Sequence, residues 1–462
     1  MYLKRYFIEG LAHASYLFGA DGEAAIVDPK RDVDDYLADA QRAGLKIVAV
    51  LNSHPHADFA SGFREIAERT GAKIYVSHAA PAKYDRVAAR DGQRIRIGSL
   101  EVELLETPGH SPDSLSFLVR EAGRPTAVFT GDLLFVNDVG RPDLRDADSN
   151  PRALADALYD SLFGKILSLP DDVKVYPAHG AGSLCGRALG TEPFTTVDQE
   201  KRFNWAAQLK DRTEFVKQML ANLPDRPAYF SFDVDVNLRG APAYSKLPPL
   251  RALTEADVKK SGGSGAMVID TRNAAAFGAG HFPGSLNIGL GSAMFATWSG
   301  FFVPGDSQIV LVVSDAADAT KARLALARIG FDNVVGYIEA AQFNESVPLA
   351  QMDPGDLKKS LAAGTAPVVL DVRTMNEWIG GHIENTKHIP LPALPKRFAE
   401  VPKDKPVAII CGSGYRSCIA GSLLLRAGWR QLSNVVGGMG AFEETSNTEW
   451  KPADLIFLGE NI

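Results

Sequence analysis

Cysteine is scarce in this chain: three in 462 residues, Cys185, Cys411 and Cys418. That excludes a disulfide framework and leaves room for a reactive thiol. Long apolar runs are missing too, and none approaches the ~18 residues of a membrane-spanning helix. Nor is there an excess of positive charge. The 49 Lys and Arg against 56 Asp and Glu leave a net charge of -7, which argues against nucleic acid or an anionic membrane as partner. The opening Met1-Tyr2-Leu3-Lys4-Arg5-Tyr6-Phe7 runs into strand-like sequence without the apolar core and cleavage site of a signal peptide, so the cytoplasm is the expected compartment. The remainder is ordinary, 45% hydrophobic and 23% charged. At this length such a composition implies two to four globular domains.

Residues 1 to about 190 alternate short β-rich runs, such as Ala24–Pro29, Lys73–Val76, Thr126–Phe129 and Val173–Tyr176, with helical stretches such as Val33–Ala43. That pattern predicts an α/β domain whose sheets are covered by helices. Residues 195–224 read as one or two amphipathic helices carrying Phe203, Trp205, Leu209, Phe215, Met219 and Leu220. A Pro- and Gly-containing stretch from Leu223 to Pro249 reads as a linker. Beyond it lies a repeat. Asp270-Thr271-Arg272 is matched by Asp371-Val372-Arg373, and 371 minus 270 gives an offset of 101. Gly280-His281 and Gly381-His382 share that offset, as do Asn333-Val334-Val335-Gly336 and Asn434-Val435-Val436-Gly437. A repeat this long means a duplicated domain, each copy ordered strand, helix, strand, helix around a parallel sheet. The expected domains are residues 1–245, 250–350 and 355–462.

The chemistry of the first domain gathers in four places, each after a strand-like run. They are Ser53-His54-Pro55-His56-Ala57-Asp58-Phe59, Thr107-Pro108-Gly109-His110-Ser111-Pro112-Asp113-Ser114, Thr130-Gly131-Asp132 and Tyr176-Pro177-Ala178-His179-Gly180. Strand ends feeding Gly- and Pro-rich loops are where α/β folds place their sites. Imidazole and carboxylate donors suit Zn or Fe. Cys185, six residues after His179, either packs as a small residue or lines that pocket. Arg141 and Asp143 either orient the metal loop, hold a substrate carboxylate or give structural support.

The second repeat copy carries Ile409-Ile410-Cys411-Gly412-Ser413-Gly414-Tyr415-Arg416-Ser417. A Cys ending an apolar strand, then a Gly-rich loop closing with Arg into a helix, builds a cradle of N–H groups that stabilises anions and favours a thiolate. Cys418 falls in the first helical turn and is read as packing. The first copy has Ser314-Asp315-Ala316-Ala317-Asp318 at the aligned place, with no Cys and two acids where an anion should sit. Its loop is also one residue shorter: 330 minus 314 is 16, against 428 minus 411, which is 17. His281 and His382 occupy matched positions in both copies, the defective one included, so each is read as structural.

The four motifs of the first domain resemble those of the metallo-β-lactamase fold, within it the glyoxalase II and persulfide dioxygenase branch. Thr130-Gly131-Asp132-Leu133-Leu134-Phe135, Gly140-Arg141-Pro142-Asp143 and Ala178-His179-Gly180 carry the closer likeness. The two later copies resemble rhodanese sulfurtransferase domains, the first of them inactive. The implied fold is an αββα sandwich followed by two rhodanese-like α/β domains. The implied type is a persulfide dioxygenase–rhodanese fusion holding one Fe(II) per chain on His54, His110 and Asp132. His56, Asp58 and His179 would surround that site, orienting ligands and binding water or substrate. In binuclear zinc hydrolases of the fold the place of Phe59 is a His serving a second metal, so Phe59 implies one metal. Cys411 matches the sulfur-carrying nucleophile and Arg416 the last member of its loop. The resemblance implies oxidation of a small thiol persulfide by O2 to sulfite, with Cys411 exchanging sulfur between persulfide, sulfite and thiosulfate. No nucleic acid or membrane partner is implied, and a homo-oligomer is expected. The alternative is a zinc thioester hydrolase of the glyoxalase II type with an accessory rhodanese domain.

Overall fold

The computed structural model describes residues 1–145, 150–221, 223 and 226–445. The chain divides into two compact units: Met1–Pro248 with Gly300–Gly305 and Leu324–Asp332, and the remaining residues from Pro249 onward. Among the described residues no helix is long and apolar enough to cross a membrane. The final part of the expected third domain, residues 446–462, lies outside the described residues.

The first unit holds two six-stranded sheets. One runs Tyr2–Ile8, His13–Ala20, Glu23–Val27, Lys46–Leu51, Lys73–Ser77 and Val87–Ala89, antiparallel over the first three strands and parallel beyond. The other runs Thr195–Thr196, Lys174–Pro177, Arg124–Gly131, Leu115–Glu121, Leu100–Glu106 and Gln93–Ile97. Alternate residues of both sheets, among them Tyr16, Phe18, Leu51, Phe117, Val119 and Phe129, interlock as one buried layer. The opposite faces take helices. Asp34–Arg42 and Phe63–Thr70 bury Tyr36, Ala40, Phe63 and Ile66 on the first sheet. Pro151–Tyr159 and Arg212–Leu220 bury Leu158, Phe215 and Met219 on the second. This is the expected αββα sandwich.

Two readings of the sequence are revised. The stretch 195–224 forms three short helices, Val197–Phe203, Trp205–Gln208 and Arg212–Leu220. Asn204 and Asp211 each accept a backbone N–H as an N-cap, which breaks the run, and Phe203 is left 69% exposed. The Leu223–Pro249 stretch, of which Pro224 and Asp225 lie outside the described residues, is no mere linker. It contains the helix Phe230–Arg239, with Phe230, Asp233, Val234, Val236 and Asn237 buried.

In the second unit each repeat copy is an all-parallel sheet. The first copy's strand order is Leu286–Asn287, Met267–Asp270, Ile309–Val313, Val334–Glu339. The second's is Ala350–Met352, Leu432–Val435, Val407–Ile410, Val368–Asp371, Lys387–His388. The 101-residue offset survives in three dimensions. Arg272 pairs with Asp270 and donates to Gly280 O at 2.8 Å, as Arg373 pairs with Asp371 and donates to Gly381 O at 2.8 Å. His281 stacks on Phe277 at 3.7 Å, and His382 on Trp378 at 3.6 Å. These matched contacts brace each fold.

Candidate metal centre and thiol loop

All four motifs follow strand ends on one rim of the sandwich. His54 comes after Lys46–Leu51, His110 after Leu100–Glu106, Asp132 after Arg124–Gly131 and His179 after Lys174–Pro177. Register brings them together. Gly131 pairs with Pro177 across parallel strands, Leu115 N donates to Ser53 O at 2.7 Å, and Ala178 N donates to Gly131 O at 3.0 Å. Gly131 sits at φ 54, and a Cβ there would meet the Ser53 side chain at 2.6 Å. A side chain at that position would therefore push the loops apart.

His54, His110 and Asp132 each present one donor atom, and the three atoms lie within 4.8 Å of one another. Asp132 Oδ2 is 3.9 Å from His54 Nε2 and 3.6 Å from His110 Nε2. All three side chains are buried. Ser53 Oγ engages His54 Nδ1 at 2.9 Å, so Nε2 faces the centre. Asp132 Oδ1 accepts from His179 Nδ1 at 2.7 Å, while Oδ2 is buried with no hydrogen-bond partner. Burial pushes the His54 and His110 imidazoles down, towards the neutral form that ligates. Burial opposes ionisation of Asp132, but His179, His110 and His54 outweigh it and hold the carboxyl well below its ordinary value. A buried carboxylate oxygen without a partner, facing two imidazole nitrogens, costs free energy unless a cation meets it. The donor set fits a divalent metal ion.

His179 is placed differently. Its Nδ1 donates to Asp132 and its Nε2 to Asp58, both at 2.7 Å. Burial opposes its charge, but Asp132 and Asp58 outweigh burial and hold it well above its ordinary value. The ring is clamped between two carboxylates that favour its charged form. Two other groups of donors are as close, His56/Asp132/His179 and Asp58/His179/Cys185. Both depend on His179, whose two ring nitrogens are already spent. Phe59 is 1% exposed and packs against His56 at 4.4 Å and His13 at 3.8 Å. It fills with an apolar ring the place next to Asp58. His56 Nε2 lies 3.2 Å from Asp28 Oδ1 without hydrogen-bond geometry. Cys185 is buried beside Asp58, its thiol pushed well up by burial and then by Asp58 and Asp132. Arg141 is fully buried, paired with Asp143 at 2.7 Å and donating to Leu184 O.

Two residues escaped sequence reasoning. His13, fully buried with both ring nitrogens lacking a hydrogen bond, sits in no motif; only its place at the start of strand His13–Ala20 sets it beside His179. Asn237 donates to His56 O at 2.8 Å and Phe59 O at 2.7 Å, and accepts from Ser61 N at 2.9 Å. It locks the His54–Ser61 loop from a helix nearly 180 residues away. The one available signal was a polar residue among the apolar positions of Phe230–Arg239.

In the second unit Cys411 follows strand Val407–Ile410, and its loop enters helix Tyr415–Arg426. Its sulfur is buried and accepts from Gly414 N at 3.1 Å and Ser417 Oγ at 3.3 Å. Gly438, at φ 60, lets the chain close on the loop; a Cβ there would lie 2.2 Å from Cys411 O. Arg416 is engaged by Glu377 through bonds of 2.7 and 2.5 Å. Ser413, Gly414 and Tyr415 line a cleft of about 860 Å³ with Asn273, Gly289 and Gln351. Cys418 is buried in the first helical turn, as expected. In the first copy Asp315 accepts from Asp318 N at 2.9 Å, so a carboxylate already caps the helix that an anion would need.

A sandwich of two sheets with a buried His, His and Asp donor set at one rim defines an α/β fold equipped to hold a metal, followed here by two parallel-sheet α/β domains. The Metallo-beta-lactamase superfamily profile matches residues 8–179, and the Rhodanese-like domain profile matches residues 254–340 and 353–445. The chain is 31% identical to the mitochondrial persulfide dioxygenase ETHE1 of Homo sapiens over 232 residues, 49% of this chain and 83% of the human protein. It is 30% identical to the hydroxyacylglutathione hydrolase of Polaromonas sp. strain JS666 over 233 residues, 45% of this chain and 85% of that protein. A crystal structure of a metallo-beta-lactamase from Staphylococcus aureus subsp. aureus COL superposes with a TM-score of 0.66 at 32% identity, covering 73% of this chain and 99% of that one. The chain belongs to the metallo-β-lactamase superfamily, as a fusion with rhodanese-like domains.

Proposed function

We propose that the protein is a cytoplasmic Fe(II)-dependent persulfide dioxygenase whose last domain is a sulfurtransferase. His54, His110 and Asp132 would hold the iron, one per chain. The observation that carries the reading is the division of labour at Asp132, with one oxygen bonded to His179 and the other left bare towards Nε2 of His54 and of His110. Phe59 supports a single metal, because it occupies the place where a second would need a ligand. A ferrous ion held there would supply the Lewis-acid and redox chemistry needed to bring a thiolate sulfur and O2 together. The chain does the rest. His179 and Asp58 fix the carboxylate's orientation, and the buried walls exclude water. The net reaction takes a thiol persulfide RSSH, O2 and water to the thiol RSH and sulfite, releasing two protons.

Cys411 would carry sulfur as a persulfide. Gly414 N and the Ser417 hydroxyl, which already point at its sulfur, would hold the negative outer atom. Attack by sulfite on that outer sulfur breaks the S–S bond, forms thiosulfate and returns the Cys411 thiolate; the reverse reaction would make the persulfide.

A second reading, a zinc thioester hydrolase, is favoured by the likeness to hydroxyacylglutathione hydrolase. Metal content separates the two. The expected result is one iron per chain and O2 uptake dependent on glutathione persulfide, falling below about a hundredth in His110→Ala. Two zinc ions per chain, or no uptake by the iron-loaded wild type, would overturn the dioxygenase.

A further inference from the structure

The chain comes back to the first unit from inside the first repeat copy. Gly300–Gly305 and Leu324–Asp332 belong by contact to that unit, although both lie within residues 254–340, which match the rhodanese profile. The second of these segments is the end of helix Ala316–Ala327 and the turn after it. It touches the metal loop directly. Ala60 N, in a fully buried residue, donates to Arg328 O at 2.8 Å. The Arg328 guanidinium meets both oxygens of Asp32, Nε on Oδ1 and Nη2 on Oδ2, each at 2.8 Å. Such bidentate pairing fixes direction as well as distance. Four residues on, Asp332 Oδ2 accepts from Arg31 Nη2 at 2.6 Å. Arg31 is 1% exposed, and a charge so deeply buried needs a carboxylate beside it. Between the two ion pairs Phe331 is buried and meets Phe232 edge-on, with ring centroids 5.7 Å apart.

These contacts lead to His54. Ser61 Oγ and Gly62 N both donate to Pro29 O, at 2.9 and 3.2 Å, so the metal loop and residues 29–32 move as one. Asp28, next to Pro29, accepts from Ser53 N at 2.7 Å, and Ser53 Oγ engages His54 Nδ1. Asn237 holds Phe59 O and Ser61 N, and the turn at 328–332 holds Ala60 N between them. One turn thus grips both loops on which a proposed ligand hangs. The copy that supplies it has no Cys where the second copy carries Cys411.

We propose that the turn at 328–332 is a positioning element of the metal centre, acting on the His54 loop through Arg328 and Asp332, and that the copy lacking a thiol serves the metal site in this way. This rests on the proposed metal site for the role of His54, but the grip on the loop is readable without it.

The test follows the loop itself, in the full-length chain. Amide hydrogen exchange read by mass spectrometry should be faster over residues 54–61 in Arg328→Gln than in the wild type, with Arg328→Lys between them. Exchange over strand Val407–Ile410 and thiosulfate formation from supplied persulfide and sulfite should not change. Competition with a metal-chelating dye should show metal binding weakened about two- to thirtyfold in Arg328→Gln. The visible spectrum of the cobalt-loaded protein should shift as well, because it reports ligand geometry. Asp332→Asn, which keeps the shape of the side chain, should behave alike. A lower melting temperature with exchange over 54–61, metal affinity and cobalt spectrum all unchanged would overturn the proposal and leave the turn as an anchor of the fold. Faster exchange throughout the chain, with sulfur transfer lost too, would also overturn it, as general loosening. Failure of the function proposed above looks different. If the wild type binds no metal, or binds it and oxidises no persulfide, that reading falls, while exchange over 54–61 still decides the grip of the turn.

Discussion

Asp132 and His179 show how much one pair of residues settles. The His179 ring between two carboxylates determines which oxygen of Asp132 remains for a metal. Asp58 matters through that contact, although it is not among the three proposed ligands. Asp58→Asn should therefore lower metal affinity about 10- to 100-fold without removing a ligand. Competition with a metal-chelating dye measures this, and unchanged affinity would mean that Asp58 does not hold His179 in solution. Phe59 is equally decisive. In the sequence it stood out only as a departure from a hydrolase pattern. In the fold it is an apolar ring packed against two imidazoles, and it offers no donor atom to a metal ion.

Short elements hold these side chains in place. The helix Phe230–Arg239 clamps the metal loop with the three hydrogen bonds of Asn237. Asn237→Leu leaves two carbonyls and one N–H buried without partners, which should cost about 3 kcal/mol. The expected readout is a lower melting temperature together with weaker metal retention; a loss of neither would show the clamp to be dispensable. In the second rhodanese copy the helix Met375–Ile379 presents Glu377 to Arg416. The Arg416 bond, outweighing partial burial, and then the Thr374 cap bring the Glu377 carboxyl down from 4.5 to about 2. A depressed carboxylate stabilises the fold above its unfolded pKa and loses that contribution as pH falls. The stability gap between wild type and Glu377→Gln should thus be full above about pH 4.5 and close as the pH drops towards 2. Thermal melts across that range check it, and a gap that widens in acid would contradict the pairing. Half-exposure of Glu377 keeps the effect small.

For the whole molecule, the proposed chemistry divides between the two units, and so should its loss. Cys411→Ser should abolish thiosulfate while leaving sulfite formation, and His110→Ala should do the reverse when persulfide and sulfite are both supplied. Separate assays of sulfite and thiosulfate read the two outcomes; unchanged thiosulfate in Cys411→Ser would remove its assigned role. Much of this organisation was legible in the sequence. Alternating strand runs, the His-x-His-x-Asp cluster and the 101-residue repeat are local or periodic signals, and they were enough for an α/β domain with helix-covered sheets, the duplicated domain and the Cys411 loop; the αββα order came from the family resemblance. The capping residues Asn204 and Asp211 went unread because a polar residue inside an amphipathic run says little about whether it faces water or ends a helix. His13 and Asn237 were invisible for a different reason. Their roles consist of contacts with residues distant along the chain, and no spacing rule encodes such contacts. The sequence by itself determined which residue types are present to bind metal and sulfur and the order in which strands deliver them. Only the tertiary structure decided which donors face one another, which are already paired, and which are buried with nothing to bond. Hydrogen-bond satisfaction is a property of the packed interior, where no water stands in for a missing partner.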